Sequence, residues 1–157
     1  MGLLHGAEMT ASYILHSVFR LVQMIMALAV CGLYGVDLNK ANREHKYSDG
    51  KWVYAEVTAS LSAFSALLYL IPFMSRVPFA WVVDTALFIL WIALFGLFGN
   101  MYIKEKAEGD SGVQRMKNAV WVDLVNALLW LISAIGMVVF WVKHKNNRSR
   151  WTGRAQV

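Results

Sequence analysis

The stretch from Phe79 to Ile103, FAWVVDTALFILWIALFGLFGNMYI, is apolar around its whole circumference and carries one formal charge, Asp84. A helix that is hydrophobic on every face belongs in lipid or inside a large protein. With about 25 residues at roughly 1.5 Å each, it more than spans a hydrocarbon core of about 30 Å. Asp84 then stands where a carboxylate costs something like 2.5 to 3.5 kcal/mol at a helix centre, and less nearer the interface.

The pattern recurs along the chain and predicts four apolar helices, at about 12–35, 52–73, 79–103 and 119–142. The first is interrupted by Arg20 and Gln23. The second carries Glu56 near its start and a surface of small residues, Ala59, Ser60, Ser62, Ala63, Ser65 and Ala66, that permits close helix approach. The polar stretches Val36–Lys51 and Lys104–Asn118 read as loops, the latter holding the turn sequence GDSG. Pro72 and Pro78 bracket a tight turn, with Pro78 just ahead of the third helix, where proline is tolerated. Short connections between adjacent spans predict an all-α, four-helix transmembrane bundle of up-down-up-down topology, with both termini on one face. Residues 1–142 form one membrane domain and 143–157 a basic juxtamembrane tail.

Composition agrees. Of 157 residues, 58% are hydrophobic and 16% charged, and the mean hydropathy is +0.46. The formal charge of +5 gathers in the tail, at Lys143, Lys145, Arg148, Arg150 and Arg154. Beside a membrane helix such a tail points to anionic headgroups, with Trp151 inserting at the interface, or to an ordinary positive-inside stop signal, rather than to nucleic acid. Counted over the whole chain, Lys and Arg are nearly balanced between the two faces, so the tail favours a cytosolic C-terminus only through its density. Tyr34, Trp52, Tyr102 and Trp121 on one side, and Tyr13, Trp81 and Trp141 on the other, are expected to form two interfacial belts. The single cysteine, Cys31, rules out an intrachain disulfide. The N-terminus lacks a basic n-region, so a cleaved signal peptide is not expected.

The third and fourth helices echo one another: Asp84 precedes Trp91, and Asp123 precedes Trp130, by seven residues, which places each pair on one face. Arg20 and Asp84 are expected to pair across helices one and three, because Arg20 snorkels toward the depth of the carboxylate. The alternatives are Arg20 reaching headgroups over a protonated Asp84, or Asp84 bonded to a helix-two hydroxyl. Glu56, Asp123 and Asn126, with Asn100, are expected to form a second polar layer nearer the opposite face. His5, His16, His45 and His144 lack ligand spacing, so no metal site and no cofactor is expected.

The four-span layout, the run VVDTALFILWIALFGLF and the run WVDLVNALLWLISA resemble a fungal MARVEL-domain protein over about Ala11 to Lys143. That resemblance implies cytosolic termini, residence in the plasma membrane or endomembranes, and a non-enzymatic role in lipid-domain organisation, membrane apposition or trafficking. Partners would be membrane lipids and other membrane proteins, a second copy of the chain among them. Claudins and tetraspanins fit less well, because they carry loop cysteines absent here. A small transporter or channel subunit using Glu56, Asp84 and Asp123 is the alternative reading.

Overall fold

A computed structural model of the chain describes the backbone of residues 2–44, 50–71, 79–106 and 108–151, and the side chains within 13–40, 42–44, 50–71, 79–106 and 108–142. The described residues fold into four α-helices: α1 (Gly2–Arg43), α2 (Gly50–Tyr69), α3 (Ala80–Tyr102) and α4 (Ser111–Trp151). The segments Tyr13–Lys40, Ala80–Tyr102 and Ser111–Val142 are long and apolar enough to cross a membrane, with mean hydropathies of 1.9, 2.1 and 2.2.

α3 matches its expected bounds to within a residue, because proline and polar residues flank a uniformly apolar run. α2 stops at Tyr69 rather than near 73. Its last turn tightens through Leu70 N–H to Leu67 O and Ile71 N–H to Leu68 O, at 3.2 and 3.1 Å. Pro72 disfavours helical geometry in the residue before it, which accounts for the early stop. The turn around Ser75 and Arg76 lies outside the described residues.

The outer helices are longer than hydropathy alone indicates. α1 continues through the polar stretch 36–43, which contains neither glycine nor proline, and its last turn holds Lys40 and Arg43, which complement the negative helix C-terminus. α4 begins at Ser111, eight residues before the expected start, where the Asp110 carboxylate accepts from the Gly112 N–H at 2.7 Å and caps the helix. The preceding turn uses a left-handed Gly109 (φ +91°), so GDSG is a turn and helix cap. The two extensions hold each other: Arg115 of α4 pairs with Asp37 of α1, and Met116 is buried between them and the bundle. Beyond 142 the α4 backbone remains helical to Trp151, so Lys143, Lys145, Arg148, Arg150 and Trp151 continue the helix; their side chains, and Arg154 altogether, lie outside the described residues.

Inward positions advance by alternating steps of three and four. On α1 they are Arg20, Gln23, Ala27, Val30 and Tyr34; on α3 they are Asp84, Leu87, Trp91, Leu94 and Phe98. α4 repeats the rhythm through Met116, Ala119, Asp123, Asn126, Trp130 and Ser133. This heptad-like spacing is the pattern of helices packed at a shallow left-handed angle. Each helix touches its two neighbours in a ring, α1 with α2 and α4, and α3 with α2 and α4, while α1 and α3 face each other diagonally. Neighbours run antiparallel, as Tyr34 opposite Asp123 and Asp37 opposite Arg115 show for α1 and α4.

Packing is closest within two hairpins, α1 with α2 and α3 with α4. Small residues permit it. A Cβ at Gly35 would stand 2.8 Å from the Glu56 carboxylate on α2. Outward positions are large and apolar on all four helices: Leu15 is 71% exposed, Phe64 59%, Ile89 55% and Ile132 58%. Arg20, Gln23, Asp84, Asp123 and Asn126 are buried instead. Such a distribution suits hydrocarbon surroundings and not water.

Candidate functional site

The polar side chains inside the bundle form two clusters, one toward each end. On α1, Arg20 and Tyr34 anchor them, about 21 Å apart along the helix.

The first cluster gathers residues from all four helices around Arg20, which is 1% exposed. Its Nη2 donates to Asp84 Oδ2 at 3.2 Å, and its Nη1 donates to Gln23 Oε1 at 2.8 Å. Gln23 sits one turn beyond Arg20 and passes the connection on, donating from Nε2 to the Leu129 carbonyl of α4 at 3.4 Å. Ser133 Oγ donates to the same Asp84 oxygen. The guanidinium lies over the Tyr69 ring of α2, 4.3 Å from its centroid, and 5.7 Å from the Trp130 ring. Tyr69 in turn donates to the Ala80 carbonyl of α3 at 3.2 Å. Arginine and aspartate are thus brought together, across the bundle axis between diagonal helices and not along a shared helix interface. Ser133 of α4 brings a hydroxyl to Asp84, which sequence reasoning did not place there.

The second cluster lies toward the 104–110 loop. Tyr34 donates to Asp123 Oδ2 at 2.6 Å, and both side chains are fully buried. Asn126 Nδ2 donates to the carbonyls of Val122 and Met26, at 3.0 and 3.4 Å. Phe98 backs Tyr34, with ring centroids 4.6 Å apart, and Trp52 meets Phe98 edge-on at 5.5 Å. Tyr102 stacks on the other side of Phe98 at 6.3 Å. Tyr34, Trp52 and Tyr102 therefore pack inward, and of the expected loop-side belt Trp121 alone is exposed; on the opposite side Tyr13, Trp81 and Trp141 are exposed.

Glu56 and Asn100 do not join this layer. Glu56 is half-buried on α2, diagonal to α4, and its carboxylate lies against Gly35; no hydrogen bond links it to Asp123 among the described residues. Asn100 is exposed. Between the clusters stand Leu87, Trp91, Leu94, Ala27 and Val30, all buried. Trp91 Nε1 donates to Ser62 Oγ at 2.8 Å, and Tyr54 donates to the Leu90 carbonyl at 2.9 Å.

These bonds share one property. Arg20 to Asp84, Gln23 to Leu129, Tyr34 to Asp123, Asn126 to Met26, Trp91 to Ser62, Tyr54 to Leu90 and Tyr69 to Ala80 all connect the α1–α2 hairpin to the α3–α4 hairpin. In lipid, where hydrocarbon competes equally for apolar faces, interhelical hydrogen bonds and close packing are what hold helices together. The chemistry of the site is therefore that of a clamp. Among the described residues no group of three or more His, Cys, Asp or Glu side chains is placed to hold a metal ion.

Sequence reasoning placed Tyr34 at an interface and passed over Ser133. The spacing from Arg20 to Tyr34, and from Asp123 to Ser133, is the signal that finds them, since both series keep one helix face.

In comparison with known proteins, the chain matches no family model, no curated protein and no solved structure.

The second cluster yields a measurable expectation. Tyr34→Phe removes the hydroxyl but keeps the ring on Phe98, leaving a buried carboxylate without its donor, and costs about 1–3 kcal/mol. Thermal unfolding in detergent micelles reads the loss. Tyr13→Phe, at an exposed ring, serves as the control and leaves the midpoint unchanged.

Proposed function

We propose that this chain is a non-enzymatic, four-span membrane protein of the MARVEL type, which organises membrane domains or membrane trafficking through its outer helix faces and its contacts with lipid. The observation that carries the proposal is the reversal of polarity. Large apolar side chains cover the outside of every helix, whereas Arg20, Gln23, Asp84, Asp123 and Asn126 are bonded to one another, to hydroxyls or to the backbone inside. Among the described residues each of these side chains bonds to another helix, and the outer surface is the part offered to partners.

α2 completes the fourth span in this reading. Its 20 residues reach about 30 Å, the thickness of a hydrocarbon core. Its lower apolarity comes from the inner face, where Ala55, Thr58, Ala59, Ser62 and Ala66 are buried, while Val57, Leu61, Phe64 and Leu67 face outward. Four antiparallel spans put both termini on one side, and the density of the basic run from Lys143 to Arg154 supports the cytosol as that side. There its cations, with Trp151, contact anionic headgroups, each contributing about 1 kcal/mol near a charged leaflet.

Two measurements test this reading. On sealed membrane vesicles with the cytosolic face outward, protease should remove a C-terminal tag and spare a tag inserted at Glu108; the reverse pattern refutes the orientation. Reconstituted in liposomes, the chain should pass protons and cations no faster than empty vesicles do, while crosslinking in native membranes should join its outer faces to membrane proteins or to a second copy. A flux abolished by Asp84→Asn would replace this reading with ion or proton carriage.

A further inference from the structure

α1 and α4 part on the side of the bundle where the termini lie, leaving a cavity of about 450 Å³. Leu15 and Phe19 of α1 and Ile132 and Phe140 of α4 form its walls, and His16, Arg20 and Ser133 supply its polar lining. The volume falls within the range of roughly 300 to 1,000 Å³ typical of small-molecule sites.

The polar atoms at this site are incompletely matched. Arg20 engages Gln23 and Asp84 through Nη1 and Nη2, but its Nε is buried with no acceptor, and His16 Nε2 is likewise buried and unpaired. An arginine N–H can only donate, so Arg20 asks for an acceptor, and the His16 imidazole nitrogen beside it can accept or donate according to its tautomer. Buried polar groups left in this state are satisfied by water or by a ligand. The apolar walls select an apolar body for the ligand.

We propose that the α1–α4 groove binds a long-chain fatty acid, with its carboxyl group at Arg20 and His16 and its acyl chain between Leu15, Phe19, Ile132 and Phe140. A carboxyl group presents two oxygens, one for the Arg20 N–H and one for the His16 nitrogen, where a hydroxyl presents a single oxygen to both. The volume suits a single chain; a two-chain phospholipid would leave one tail and a bulkier head outside. Gly136 opens the floor of the chain channel, since a Cβ there meets nothing within 4 Å. The proposal rests on the membrane placement argued above.

The test uses the full-length chain in phosphatidylcholine nanodiscs and a palmitic acid carrying a diazirine on its acyl chain. After irradiation, label should map to the peptides holding Leu15–Phe19 and Ile132–Phe140. Excess palmitic acid should reduce it about tenfold, and methyl palmitate and dipalmitoyl phosphatidic acid less than about twofold. Gly136→Leu fills the groove without replacing any residue of the Arg20 cluster and should cut labelling about tenfold at an unchanged melting temperature. His16→Leu should erase the preference for the acid over its ester. Equal competition by the ester, stronger competition by phosphatidic acid, label at other sites, or full labelling of Gly136→Leu would each overturn the assignment. Alkaline carbonate extraction separates the two levels: a chain retained in membranes but unlabelled in the groove overturns the groove alone, whereas a released chain overturns the membrane placement with it.

Discussion

The contact between Arg20 and Asp84 sets the terms for the rest of the bundle. Neither charge is tolerable alone at this depth, because a lone arginine or aspartate inside the hydrocarbon costs several kcal/mol. Bringing them together requires α1 and α3 to turn the same face to the bundle axis, although they are diagonal and share no helix interface. Once that is done, the heptad rhythm fixes everything further along. On α1 it turns Ala27, Val30 and Tyr34 inward, and on α3 it turns Leu87, Trp91, Leu94 and Phe98 inward. Tyr34 thereby arrives opposite Asp123, so the second cluster follows from the register imposed by the first.

Two kinds of force divide the work. Within each hairpin the helices pack along a long seam, with Gly35 close against Glu56, and dispersion contacts accumulate. Between hairpins, packing is sparser where α2 meets α3, and hydrogen bonds from Trp91, Tyr54 and Tyr69 link the two helices. Each such bond in a membrane averages about 0.6 kcal/mol and reaches about 1.7. None is decisive singly, but several in parallel specify one arrangement of the hairpins over the many that apolar faces alone would permit. The outer faces of the spans carry mostly large apolar side chains.

Much of this was legible in the residues, and the exceptions have physical reasons. The bounds of α3 were plain because its apolar run ends abruptly on both sides. The extensions of α1 and α4 were not, since Asp37, Asn39, Arg115 and Asn118 read as loop residues until Arg115 meets Asp37 and Asp110 caps the helix. Hydropathy reports where lipid stops, not where a helix stops. Arg20 and Asp84 stood out because charges in apolar runs are rare. Glu56 looked equivalent by depth, but depth says nothing about azimuth, and its side of α2 faces Gly35 rather than α4. Tyr34 was misplaced for the same reason: aromatic residues near a span end suit an interface or a buried acceptor equally, and helical phase alone distinguishes them.

The central claim is that Arg20 and Asp84 act as one unit holding the two hairpins together. A double-mutant cycle in lipid bicelles, with unfolding free energies for Arg20→Ala, Asp84→Ala and the double variant, addresses it directly. Each single change leaves a buried charge uncompensated and should cost about 3–5 kcal/mol, while the double variant should cost less than the sum by at least about 1 kcal/mol. Losses that add to within about 0.3–0.5 kcal/mol would mean that the two side chains do not interact, and would contradict the account.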